Sequence, residues 1–431
     1  MKKTGKIPQT ALGRSLKILG GGASLLAKEI VGRVSGNPLA AKLKQAQSLV
    51  DTLGDLKGAA MKAGQLLSLE ASDLLPPEVV EILRQLHDSA PAMSFAQVEK
   101  ILRRELGEAG FARLSAISPE PVAAASIGQV HSAFVDGRKV AIKVQYPGVA
   151  SSIDTDLDML KKFAAGLLTI QGKAIPLDEL FEELKRGLKG EVDYRRELES
   201  LQAYREAFAG DARYYVPAPL PELCSGHVLT LEFVEGIKLG QWLKQGLSEE
   251  DRKDFASVVI GLLVKEFYET GLVQTDPNYG NFLYRPAQRQ IVLLDFGATH
   301  TYQKQFRRDY RRLLQAAYAG DDAEVLVRAE KLFSLDPREK PATRAMFLEL
   351  MRLSIRMFQE AYQPVRFDDD EYIDELRRIT LEFVKSVEFS PPPKDLVFLN
   401  RKLGGMFHLL KDAHCEVDLH PSWIYVQSLE I

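Results

Sequence analysis

A chain of 431 residues with 45% apolar and 27% charged residues is long enough for two or three domains and has the composition of an ordinary soluble globular protein. Its two cysteines, Cys224 and Cys415, lie far apart without Cys-x-x-Cys spacing, which suggests neither a disulfide framework nor a zinc site and suits a reducing, cytoplasmic-type compartment. The net charge of −3 conceals a basic start: residues 1–57 hold ten Lys and Arg against three acidic residues, so an anionic membrane surface is the expected partner of this arm, and no nucleic-acid partner is expected.

The elements follow in order. Residues 18–32 are apolar and small, but Lys28 and Glu29 interrupt them, so the arm at 1–35 is expected to lie in an interface or pack on protein and not to span a membrane. No convincing small-residue cleavage site marks it as a signal peptide. A helical extension is expected over 36–112: few breakers between Lys42 and Ala71, a short helix from Pro76-Pro77 to His87, and capping-box spacing at Ser94–Gln97 ahead of Val98–Leu106. From Pro119 the pattern turns to strands. Gln129–Val135 and Arg138–Gln145 flank Asp136-Gly137, a two-residue turn that favours type I′ and puts Lys143 on the second strand of a hairpin.

Helical periodicity covers Asp154–Leu168 and Leu177–Phe208, strand character returns at His227–Val234, and Glu249–Thr270 is the longest helix expected after it. Asn281–Tyr284 and Gln290–Phe296 bracket Arg285–Arg289 as a second hairpin, and Tyr302 to about Leu410 reads helical. The fold class is therefore α+β, with a strand-rich lobe at 113–234 carrying inserted helices and a helical lobe at 235–431.

Four polar residues stand in the chain order that a kinase-like site for ATP and Mg²⁺ requires. Lys143, in Val-Ala-Ile-Lys, suits phosphate oxygens, although alone it reads as a solvated strand lysine. Asp276 precedes Asn281 by five residues, and the apolar strand Ile291–Leu294 delivers Asp295 into a Phe-Gly turn. Asp295 and Asn281 suit Mg²⁺, and Asp276 is the candidate base or water-orienting group, although Gln274-Thr275 stands where a kinase catalytic loop has His-Arg. No glycine-rich loop precedes the lysine strand. The run Ala123-Ala124-Ala125-Ser126 takes its place. Backbone groups of Glu232, Phe233 and Val234 could meet an adenine edge. Among Glu191, Asp193 and Glu197, one carboxylate should fix Lys143; on a continuous helix Asp193 and Glu197 share a face and Glu191 points elsewhere.

These residues, with Lys62-Ala63-Gly64-Gln65 upstream, closely resemble the UbiB family of atypical kinases, also called ADCK or AarF. Lys-x-Gly-Gln, the alanine-rich loop, Glu-x-Asp and Gln-Thr-Asp-Pro-Asn are the motifs that carry the resemblance, and Leu12-Gly13-Arg14 with Leu19–Gly22 resembles the branch named for ubiquinone biosynthesis. The resemblance implies a two-lobe protein-kinase-like fold with the helical extension packed over the active site. It implies that Lys62 and Gln65 face the nucleotide, that Glu191 and Asp193 partner Lys62, and that Glu197 partners Lys143. It also implies ATP hydrolysis in support of isoprenoid-quinone synthesis at membranes, with a quinone precursor or other isoprenoid lipid, and quinone-biosynthesis enzymes, as partners. A protein kinase acting in trans and a nucleotide-gated lipid-binding scaffold are the alternatives, and a homodimer is left open. Unlike the bacterial members, whose C-termini are hydrophobic, Lys411–Ile431 is polar here.

Overall fold

The computed structural model describes residues 93–125, 127–170, 177–276, 278–389 and 393–430. The basic arm, Lys62, Gln65 and Ser126 lie outside the described residues. The chain divides into two compact units, Met1–Gln202 with Ala218–Phe233, and Ala203–Pro217 with Val234–Ile431.

In the first unit, the Ser94 N–H donates to Gln97 Oε1 and opens α1 (Phe95–Ala112), whose buried face carries Val98, Ile101 and Leu102 at helical spacing. Then come β1 (Leu114–Ser115), β2 (Ala123–Ala125), β3 (Gly128–Val135) and β4 (Arg138–Gln145), followed by α2 (Val149–Ile170), α3 (Leu177–Glu191) and α4 (Tyr194–Ala207). The chain next gives β5 (Tyr214–Tyr215) to the second unit and returns for β6 (Val228–Glu232).

The sheet runs β1-β3-β4-β6, with β2 also on β3, and every pairing is antiparallel. Asp136 and Gly137 have φ of 49° and 76°, the positive pair that a type I′ turn demands. Val140, Ile142 and Val144 of β4 are buried, and period-two alternation sends Lys143 and Gln145 to the opposite face.

Two expectations need correction here. The single helix from Leu177 to Phe208 is broken at Val192-Asp193, because the Tyr194 N–H donates to Gly226 O and the Gln145 side chain takes the Val192 carbonyl; Asp193 and Glu197 therefore do not share a face of one continuous helix. The alanine run is a strand, not a loop. Ala123, Ala124 and Ala125 pair with Val130, Gln129 and Gly128. Gly128 is needed for close approach, since a Cβ there would stand 2.4 Å from Val144 O on β4.

The second unit is mostly helical. It holds β7 (Ile237–Lys238), α5 (Leu239–Trp242) and α6 (Glu249–Leu263), the last capped by Ser248, whose Oγ accepts from the Asp251 N–H. The helix continues as a π-helical stretch, Val264–Thr270, and stops at Gly271 with φ 79°. After it come β8 (Leu272–Gln274), the 3₁₀ turn Tyr279–Asn281, β9 (Phe282–Arg285), β10 (Gln290–Leu293) and β11 (Thr299–Thr301). The rest is α7 (Lys304–Ala319), α8 (Asp322–Leu332), α9 (Pro341–Arg356), β12 (Val365–Arg366), α10 (Asp370–Ser386), α11 (Lys394–Asp412), β13 (Glu416–Val417) and α12 (His420–Ser428).

Small sheets run β5-β10-β9-β7 and β11-β8. One core gathers Leu313, Val325, Phe347, Ile355 and Trp423, and another Val264, Phe267, Val273, Tyr302 and Leu399. The architecture is α+β, with a strand-rich N-terminal lobe and a helical C-terminal lobe of protein-kinase-like organisation. Among the described residues no helix is long and apolar enough to cross a membrane.

Candidate active site

The candidate residues fall into two groups, one in each unit. In the first unit, Lys143 Nζ on β4 stands 2.8 and 2.9 Å from the two carboxylate oxygens of Glu197 on α4, so Glu197 meets it with both oxygens. The lysine also lies 5.1 Å from the Tyr194 ring centroid, a cation–π contact that restrains its stem. Deleting one side of a fully buried pair costs about 3–5 kcal/mol, because the remaining charge keeps its desolvation penalty, and this less enclosed pair should cost less than that.

The neighbouring groups are placed by the same strand. Gln145, two residues beyond Lys143 on its face of β4, donates to Val192 O at 2.7 Å and so ties down the Glu191-Val192-Asp193 segment. Glu191 closes α3 and is half-buried, and Asp193 Oδ1 accepts from the Arg195 N–H at 3.1 Å at the start of α4. The Lys62 expected to partner them lies outside the described residues. At the end of β6 the Glu232 N–H donates to Ala218 O and the Phe233 N–H to Lys139 O, while the Lys139 ammonium sits over the Phe233 ring. Those two N–H groups are committed to protein carbonyls. An adenine edge would have to use other backbone groups of the segment, toward Val234.

In the second unit, β8 delivers Asp276, which is buried. Its Oδ1 accepts from the Asn278 N–H at 3.2 Å, and its carbonyl lies 3.4 Å from Asn281 Nδ2. Asn281 ends a 3₁₀ turn, and its carbonyl accepts from the Leu294 N–H at 3.0 Å, just beyond the Leu293–Phe282 pair of the β9–β10 hairpin. Asn281 and Asp295 are thereby held at the same end of one hairpin. Asp295 Oδ1 accepts from the Gly297 N–H at 3.0 Å, closing a tight Asp-Phe-Gly turn. Thr275 fastens the two loops: its N–H and its hydroxyl both reach Ala298 O, at 3.0 and 2.8 Å.

Gln145 and Thr275 were not singled out from the sequence. Period-two spacing from Lys143 points to Gln145, and Thr275 stands in the sequence as a departure from His-Arg and as part of Gln-Thr-Asp-Pro-Asn, without a structural role. Chemically, the second group offers hard oxygen donors, a carboxylate and an amide oxygen, beside a buried second carboxylate. Among the described residues no cluster of three or more His, Cys, Asp or Glu forms a metal cage. A magnesium ion that keeps phosphate and water ligands needs no such cage.

The model of the ABC1 atypical kinase-like domain matches residues 85–328. The chain is similar to the Danio rerio protein named "Atypical kinase COQ8B, mitochondrial", 33% identical over 378 residues, which are 88% of this chain and 60% of that protein. It is also similar to the Saccharomyces cerevisiae "Atypical kinase COQ8, mitochondrial", 32% identical over 410 residues, covering 92% of this chain and 80% of that one. The chain thus spans three fifths of one of these relatives and four fifths of the other. Among solved structures, a Mycobacterium tuberculosis protein, Rv3197, described as a complex with erythromycin, matches with a TM-score of 0.61 and 26% identity, over 91% of this chain and 96% of that one.

Proposed function

The chain belongs to the ABC1 family of atypical kinase-like proteins, and from that premise we propose that it binds Mg²⁺-ATP and turns it over in support of isoprenoid-quinone synthesis or lipid handling at an anionic membrane surface. The observation that carries the nucleotide reading is the pairing of Lys143 with Glu197 together with the hairpin that holds Asn281 and Asp295 at one end. When bound, Mg²⁺ would neutralise phosphate charge, and Asp295 and Asn281 are the residues that would hold it. Lys143, fixed by Glu197, would hold phosphate oxygens. Asp276 would accept a hydroxyl proton or orient a water. The quinone and membrane parts rest on the resemblance to the ubiquinone branch and on the basic arm.

Asp295→Asn tests the nucleotide reading. The full-length variant is expected to keep its fold and lose the Mg²⁺-ATP-dependent rise in melting temperature, since stabilisation by a ligand follows its affinity for the folded state. A melting shift equal to that of the wild type would overturn the metal assignment. Lipid analysis of a deletion strain tests the biological part, with accumulation of a quinone precursor as the expected result.

A further inference from the structure

A second lysine–glutamate pair lies beneath the loop that carries Asp276. Glu266 sits in the π-helical stretch that ends α6, and Lys402 Nζ on α11 stands 2.5 Å from its Oε2. Both residues are buried, as are Tyr204, Gln274 and Thr275. The other oxygen, Glu266 Oε1, accepts from the Tyr204 hydroxyl at 2.9 Å and lies 3.4 Å from the Gln274 backbone nitrogen. Tyr204 extends the reach of this carboxylate in two directions. Its hydroxyl is 3.1 Å from Leu272 O on β8, and its ring lies 4.9 Å from the ring of Phe296, the residue after Asp295. One carboxylate therefore meets the strand that delivers Asp276 and, through Tyr204, the turn that carries Asp295.

A fully buried ion pair is a poor device for stability, because an apolar pair of similar volume often does as well or better. Burial pushes the Glu266 carboxyl upward, and Lys402 and the Tyr204 hydroxyl oppose part of that shift. The π-helical stretch is a further sign, since such insertions are frequent at functional sites. Here the stretch closes on Gly271, whose N–H donates to the Glu266 carbonyl at 2.8 Å, so both the backbone and the side chain of Glu266 hold the residues leading into β8.

We propose that Glu266, held by Lys402 and Tyr204, is a positioning residue that fixes the Leu272–Asp276 segment and the Phe296 ring for catalysis. The catalytic part of the inference rests on the ATP-turnover reading, and the anchoring part does not.

The test uses the full chain in three forms: Glu266→Leu/Lys402→Met, which replaces the pair by apolar groups; Glu266→Gln/Lys402→Met, which removes both charges but keeps an oxygen acceptor; and Tyr204→Phe. Backbone amide exchange over 272–276 and the kcat and KM for Mg²⁺-ATP are measured for each. The apolar double variant is expected to speed exchange in that segment and to lower kcat roughly 10- to 100-fold with KM within about twofold, the signature of misplaced groups and not of weakened binding. The Gln/Met variant is expected to recover most of both, and Tyr204→Phe to fall between. Wild-type exchange and kcat in a folded apolar variant would overturn the proposal. If that variant does not fold, the same wild-type values in Tyr204→Phe would overturn it. Faster exchange in a protein that turns over no ATP in any form would sustain the anchor and sink the ATP reading.

Discussion

Among the described residues each unit sets a lysine against a buried glutamate, and the two pairs differ mainly in what surrounds them. Lys143 and Glu197 have side chains 12% and 2% exposed, whereas Lys402 and Glu266 are 5% and 1% exposed. Lys143 reaches its partner from the face of a sheet, opposite the buried row Val140, Ile142 and Val144, and its side chain is the less enclosed of the two lysines. Lys402 reaches its partner inside helical packing. A lysine with residual access can share its charge with an incoming phosphate, while a sealed one can only hold its carboxylate in place. On the readings proposed above, similar chemistry would serve two ends, ligand binding in one unit and anchoring of a loop in the other.

The sharpest way to break this contrast is to remove each lysine alone. Lys402→Met leaves the Glu266 charge sealed without its counterion, and the expected cost is about 3–5 kcal/mol in urea unfolding. Glu266→Leu added to it should restore most of that loss. A cost below about 1 kcal/mol for the single variant would show that Glu266 finds other relief and that the pair is not sealed.

Lys143→Met is expected to cost less stability than Lys402→Met, because Lys143 is the less enclosed of the two lysines and gives up less burial. Its larger effect should appear with ligand. At Mg²⁺-ATP near 100 times the wild-type Kd, binding stabilises the wild type by about 2.7 kcal/mol, and the variant should lose most of this. Equal stabilisation in the two proteins would remove Lys143 from the nucleotide site.

The contrast also separates what the sequence could show from what it could not. Lys143, Asp276, Asn281 and Asp295 stand out because phosphate and metal chemistry demands those residue types in a fixed order, and Asp136-Gly137 stands out because only certain residues tolerate two positive φ values in succession. The break at Val192-Asp193 carries only a faint local signal, Gly190 ahead of an Asp193 whose carboxylate caps α4. It is set by Gln145 and Gly226, which are distant in sequence. Three alanines are weak strand formers, and pairing with β3 overrides that preference. Glu266 and Lys402 each sit in an ordinary helical pattern, so nothing in either stretch announces that tertiary packing will bring them to 2.5 Å. The residues proposed to meet ligand are legible in the sequence, and those that hold the loop are not.

A smaller effect should distinguish the two units by their response to acid. In the first unit the Met93 N–H donates to Gln129 Oε1 at 2.9 Å, Gln129 Nε2 lies 2.7 Å from His131 Nε2, and His131 Nδ1 lies 2.7 Å from Ser118 O. An amide nitrogen can only donate and a carbonyl can only accept, so the imidazole is neutral, with its proton on Nδ1. His131 is fully buried one residue from the Lys143–Val130 cross-strand pair. Burial lowers its pKa from the ordinary 6.5, partly offset by the hydrogen bond to Ser118 and the charge of Glu120. The folded protein therefore binds this proton less readily than the unfolded chain. The stability it contributes is complete above the unfolded value near 6.5 and is lost as the pH falls through the lower folded value. Urea midpoints of the wild type should drop between pH 7.5 and 5.5, and His131→Gln, whose amide can donate to Ser118 O and accept from Gln129 without charging, should drop less. Parallel curves for the two proteins would place the acid sensitivity elsewhere and leave the first unit no more responsive than the second.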